Sequence, residues 1–239
     1  MSTRILIAGL CGLFFFAAAY DARAQADAVP EAAASFDERE LLYRVLLDGK
    51  EIGSHRYNLR SSGDTRLVES EAAFDVKFLF FNAYSYRHTL SARWRGECLQ
   101  SLEADTNANG KKLAVSGQLR DESFVVKTGD ETTTLPACVM NFAYWNPLIL
   151  EQAMLLNPQT GDYLEVEVTR TGEESISIDG RSLATDAFRI RAKDMRIDLW
   201  YSQGDGQWVA LESLTKEGRI IRYELIRGWI TDFEETGNG

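Results

Sequence analysis

Histidine is the side chain most often used for acid–base work near neutrality, and this chain has two, His55 and His88. His88 lies in a row with Tyr84, Tyr86, Leu90, Ala92 and Trp94, all on one face of an alternating segment. Ser85, Arg87, Thr89, Ser91 and Arg93 share the other face, and His55 shares a face with Tyr57 and Leu59. An imidazole in such a row is either a satisfied core or rim histidine or a polar group inside a cavity. The histidines and cysteines lack the spacing of a zinc site, which needs three or four ligands. There is no Gly-x-Ser-x-Gly elbow, and no histidine stands near Cys98 or Cys138 in sequence. Glu165 and Glu167 occupy the polar face of a strand pattern, where solvated charge is ordinary. The sequence therefore names no catalytic residue, metal ligand or cofactor. An enzymatic reading would need a site assembled across strands from distant residues.

Asp105, Asn107, Asn109 and Gly110 imitate the opening of a calcium loop, in which oxygen ligands alternate before a glycine. Ser116 stands where the closing bidentate glutamate should be, and Leu113 and Val115 already alternate as in a strand. Asn109-Gly110 is the simpler signal of a two-residue hairpin turn. Aromatic excess is harder to dismiss. Phe142, Tyr144 and Trp145 gather with Met140 and Met154, and Phe78, Phe80 and Phe81 form a second patch. Aromatic-lined hollows with few polar groups hold apolar ligands, although aromatics also fill ordinary cores. Tyr84, Tyr86, His88, Phe142, Tyr144, Trp145 and Met154 are the candidate ligand-binding residues.

The elements that must position these residues are strands. Period-two alternation recurs in Tyr163–Thr169, in Phe188, Ile190 and Ala192, and in Ile221, Tyr223 and Leu225. Asp48-Gly49, Asn109-Gly110, Thr128-Gly129-Asp130, Asp179-Gly180 and Glu217-Gly218 fall between such runs and supply hairpin turns. The spacing predicts a mainly β fold of about ten to twelve strands, a curved antiparallel sheet or a partly open β-barrel. One segment breaks the rhythm. Asn146-Pro147 opens a predicted short helix, apolar on most sides, that runs to Leu156 and is stopped by Asn157-Pro158. Such a helix must be buried across the sheet or in a barrel mouth.

Arg4, the apolar run Ile5–Ala19 and the small-residue patterns Ala22-Arg23-Ala24 and Ala24-Gln25-Ala26 read as a cleavable signal peptide over residues 1–26. The run is short for a bilayer span of roughly 20 residues, so no transmembrane span is expected. Leu10 before Cys11 argues against lipidation. Residues 27–37 read as a flexible leader, 38–233 as a single antiparallel β domain and 234–239 as a tail. Cleavage would place the chain in the periplasm and shift its net charge from −10 to −11, because the removed part holds two arginines and one aspartate. Such acidity disfavours nucleic acid as a partner. Cys98 and Cys138 would survive processing, and an oxidising compartment lets them pair; two separate buried thiols is the alternative.

Asn141-Phe-Ala-Tyr144-Trp145-Asn146-Pro147, followed by Leu155-Leu-Asn157 and Gln159-Thr-Gly161, resembles an uncharacterised family of exported bacterial β proteins, a domain of unknown function. Tyr43, Gly49, Ile52-Gly53 and Leu199-Trp200-Tyr201 extend the resemblance over about residues 40–228. It implies a curved antiparallel sheet with a helix across its mouth, loosely similar in outline to periplasmic lipoprotein carriers. The function expected is binding or carrying an apolar, lipid-like small molecule, with docking of an envelope protein as the alternative.

Overall fold

The computed structural model describes residues 36–78, 81–215 and 217–228. The expected signal peptide, most of the leader and the tail lie outside the described residues, as do the side chains of the Phe78, Phe80 and Phe81 patch.

The chain begins as a meander of long hairpins: β1 (Asp37–Leu47), β2 (Lys50–Ser62), β3 (Thr65–Phe78), β4 (Phe81–Arg95), β5 (Cys98–Ala108) and β6 (Lys111–Arg120). Two short strands follow, β7 (Ser123–Thr128) and β8 (Glu131–Pro136). After an irregular stretch come β9 (Met154–Leu156), β10 (Tyr163–Glu165), β11 (Glu167–Ile178), β12 (Arg181–Ala192), β13 (Met195–Ser202), β14 (Trp208–Leu214) and β15 (Ile220–Arg227). Thirteen strands make one antiparallel sheet in the order β11-β12-β13-β14-β15-β1-β2-β3-β4-β5-β6-β7-β8, and β9 and β10 pair separately. The sheet is not closed, because β8 and β11 are its edges. The mainly β, antiparallel architecture expected from alternation is borne out.

Local chemistry explains the hairpins. Asp48-Gly49, Asn109-Gly110 and Asp179-Gly180 all have positive φ at both residues, the geometry of the type I′ turn that matches strand twist. The calcium-like Asp105–Gly110 stretch is one of these: Asn107 Oδ1 accepts from the Gly110 N–H at 2.9 Å, and β5 turns into β6. Alternation then sets the faces. In β1, Leu41, Tyr43, Val45 and Leu47 are buried, while Arg44 on the other face pairs with Glu224 at 2.8 Å.

The sheet winds on itself. Arg44 of β1 also meets Asp179, in the β11–β12 turn, at 2.7 Å, although four strands lie between β11 and β1 in sheet order. Trp200, on the opposite face of β13 from Leu199 and Tyr201, is buried, and it donates to Glu174 of β11 at 2.9 Å. One edge thus overlaps the outer face of the roll.

The strand count exceeds the expected ten to twelve. Thr-rich β8 leaves Glu131–Thr134 exposed, so apolar alternation could not reveal it. Tyr163–Thr169, expected as one strand, changes partners at Val166, whose N–H bonds Ala153. β10 pairs with β9 and β11 with β12.

The helix is the main correction. Asn146 does cap it, accepting from the Leu148 N–H, and Pro147 opens it, but it is a single 3-10 segment, Pro147–Glu151. Met154–Leu156 is a strand, because the Leu156 N–H bonds Met140 O at 2.9 Å and Leu155 pairs with Leu164. An apolar run satisfied by neighbouring backbone on both sides has no need of helical bonds.

Candidate ligand-binding cavity

Residues 139–159 cross the inner side of the sheet. Cys98, the first residue of β5, is joined by a disulfide to Cys138, and the Leu99 N–H bonds Val139 O at 3.0 Å. Farther along, Tyr201 of β13 donates its hydroxyl to Tyr144 O at 2.9 Å, fixing the same segment to the opposite side of the roll. Trp145 packs edge-on against Trp94, ring centroids 5.7 Å apart, with the Arg66 guanidinium 5.0 Å over its ring.

Between this segment and strands β2–β4 and β13–β15 lies a cavity of about 710 Å³. That is within the ~300–1,000 Å³ of small-molecule sites. Its wall includes Leu47, Ile52, Ala72, Phe74, Ile197, Leu211 and Ile221. Of the sequence-predicted residues, Tyr84, Tyr86, His88, Phe142, Tyr144 and Trp145 line it, and Tyr84 is 39% exposed. Met154 does not line it: the strand conformation of β9 sets it opposite Glu165 instead. His55, weighed from sequence as a possible cavity group but not counted among the ligand-binding candidates, also belongs to the wall, as do Tyr57, Ser70 and Tyr223, which were not singled out. Their signal was present, since each sits on an inward face of the alternation. Which inward faces end at empty space depends on how the sheet rolls.

The rings form a continuous lining. Phe74 and Tyr86 stack at 4.7 Å, His55 and Tyr57 at 4.2 Å, and Tyr223 lies 5.7 Å from His55 and 6.3 Å from Phe74. Some of the polar groups in the wall are paired with each other. His55 Nε2 lies 3.2 Å from Ser70 Oγ, and its Nδ1 lies 3.4 Å from the Tyr57 hydroxyl. His88 Nδ1 is 2.9 Å from Thr106 Oγ1, a hydroxyl that is not part of the cavity wall.

Burial holds the histidines and phenols of the wall in their uncharged forms. Desolvation lowers His55 to about 3, helped by His88, and lowers His88 to about 4 against a small opposing pull from Asp105. Burial raises Tyr86, Tyr144 and Tyr223 well above the usual phenol range. The Ser70–His55 contact has the spacing of a nucleophile–base pair, but a histidine held so far below neutrality is a poor proton acceptor. The Ser70 segment is, moreover, paired with strands on both sides.

The fold and cavity define a class: open, barrel-like antiparallel β proteins with an aromatic-lined hollow. Residues 43–226 match the model of the domain of unknown function DUF6134, and the chain belongs to that family. Membership of an uncharacterised β family, expected from the Tyr144-Trp145-Asn146-Pro147 element, is borne out. Among solved structures, a beta-barrel-like protein of the domain of unknown function DUF1849 from Brucella abortus is similar, with a TM-score of 0.60 and 12% identity. That likeness covers 84% of this chain and 100% of the other, and at such identity it concerns the fold alone. No curated protein matches the chain.

Proposed function

We propose that this protein is a non-enzymatic periplasmic module that binds or carries an apolar, lipid-like ligand in the cavity beneath the 139–159 segment. The observation that carries the proposal is the cavity itself, about 710 Å³ and walled by aromatic and aliphatic side chains. Its buried rings are uncharged at neutral pH, so an apolar chain displaces water there without stranding a charge. The compartment rests on the signal-peptide pattern and on the Cys98–Cys138 disulfide, a bond favoured outside the reducing cytoplasm. Among the described residues no helix is long and apolar enough to cross a membrane.

The test is binding of N-phenyl-1-naphthylamine, an uncharged probe whose fluorescence rises in apolar surroundings. Native mass spectrometry of protein purified from the periplasm accompanies it. Saturable enhancement, competed by lipid extract, is the expected result. A probe that does not bind, together with a copurifying polypeptide, would favour protein docking and overturn the carrier reading.

A further inference from the structure

Among the polar side chains of the cavity wall, two groups differ in what they already bond. His55, Ser70 and Tyr57 contact one another and leave little hydrogen-bonding capacity for a ligand. The hydroxyls of Tyr86, Tyr144 and Tyr223, and Nε2 of His88, have no hydrogen-bond partner among the described residues. They are also not among the sealed, unpartnered atoms of the interior, such as Trp94 Nε1 and Asn141 Oδ1. They face the hollow that their residues line. The three phenols are close enough to influence one another: Tyr223 raises Tyr86, Tyr86 raises Tyr144, and Tyr144 raises Tyr223. Three positions remote in sequence thus place phenols in the wall of one cavity.

Charge is distributed differently. Among the described residues, the charged side chains of the wall are Glu217 and Arg219. Arg219 is already engaged by Asp48 at 2.7 Å. An anionic head in the hollow would meet phenols and an uncharged imidazole but no unspent cation. Burying an ionised group without a counter-ion is far costlier than burying a hydrogen-bonded neutral one.

We infer that the cavity selects apolar molecules whose head group is uncharged but hydrogen-bonding, an alcohol or ester rather than a carboxylate or phosphate, held by Tyr86, Tyr144, Tyr223 and His88. This inference rests on the apolar-ligand reading and adds the chemistry of the head. A phenol O–H donates to an ester carbonyl or an alcohol oxygen, and a neutral imidazole nitrogen either accepts from an alcohol or donates.

The experiment displaces bound N-phenyl-1-naphthylamine at neutral pH with three ligands sharing one chain: 1-dodecanoylglycerol, dodecanoate and dodecyl phosphate, each below its micelle threshold. The monoglyceride is expected to displace the probe at about tenfold lower concentration than either anion, the scale set by an unpaired buried charge. Tyr86→Phe and Tyr223→Phe delete a hydroxyl and keep the ring. Each should shrink that preference, read as the ratio of monoglyceride to anion competition within the same variant, by about threefold or more. Anions that compete as well as the monoglyceride overturn the head-group inference and leave the apolar-ligand reading standing. A preference untouched in both Phe variants overturns the assignment of these residues. A wild-type protein that binds no probe brings down the carrier reading as well.

Discussion

The two histidines tie stability to pH in a direction set by their burial. His55 lies near 3 and His88 near 4 in the fold, against about 6.5 in an unfolded chain. The unfolded state therefore binds more protons throughout that interval, and stability rises with pH across it. Their contribution is complete above about pH 6.5 and is lost as the pH falls toward the folded values, at up to about 1.4 kcal/mol per histidine for each pH unit. Urea midpoints measured between about pH 7 and pH 5, where carboxylates still hold their charge, should fall steadily. His88→Gln retains a hydrogen-bonding group for Thr106 but cannot titrate, so it should flatten about half of that slope. An unchanged slope would mean that the ring is hydrated, not buried. His88 was legible in the sequence as a member of an inward row. The partnership of His55 with Ser70 was not, because register between β2 and β3 decides it: Tyr57 opposes Ser70 there, and His55 opposes Ala72.

At the scale of elements, the segment 139–159 was both the most legible feature and the one most altered by the fold. Asn146 and Pro147 marked the start of a helical turn correctly, since capping is local chemistry. The length of that turn was not local. Ala153–Leu156 could have continued a helix, but backbone partners at Met140, Val166 and Leu164 were available and took over. Asn146→Ala removes the side-chain oxygen that accepts from Leu148 at 3.2 Å and should cost about 1 kcal/mol by thermal or urea denaturation. Trp145→Ala should cost more, about 3–5 kcal/mol, because the ring is 7% exposed and packs on Trp94. It should also weaken probe binding, since Trp145 forms part of the cavity wall. Stability lost with binding intact would reduce Trp145 to a purely packing role.

At the scale of the whole molecule, the sequence pattern of alternation and Gly-containing turns was enough to imply an antiparallel sheet, but not how that sheet rolls. Rolling depends on contacts between residues far apart in sequence, such as Arg44 with Asp179 and Tyr43 with Trp208, whose carbonyl accepts the Tyr43 hydroxyl at 2.8 Å. The same roll makes the cavity, which explains why Tyr223 could be placed on a face and yet not in a site. Beyond the main chain itself, the Cys98–Cys138 disulfide, with a sequence separation of 40, cross-links the start of the crossing segment to that roll. Closing a loop of that length restricts the unfolded chain by about 4 kcal/mol in the entropy treatment, with about 2–4 kcal/mol usual in practice. The double variant Cys98→Ser, Cys138→Ser should therefore still form the sheet, whose ladders do not involve the sulfurs, but unfold at lower urea. Because that end of the segment over the cavity is then held to β5 by the Leu99–Val139 backbone bond without the covalent link, N-phenyl-1-naphthylamine affinity should fall together with stability. The segment remains held farther along by Tyr201 on Tyr144, so binding should weaken and not vanish. Circular dichroism, urea titration and probe binding on the same preparation decide it. Unaltered affinity with lowered stability would mean that the disulfide holds the fold together without shaping the cavity.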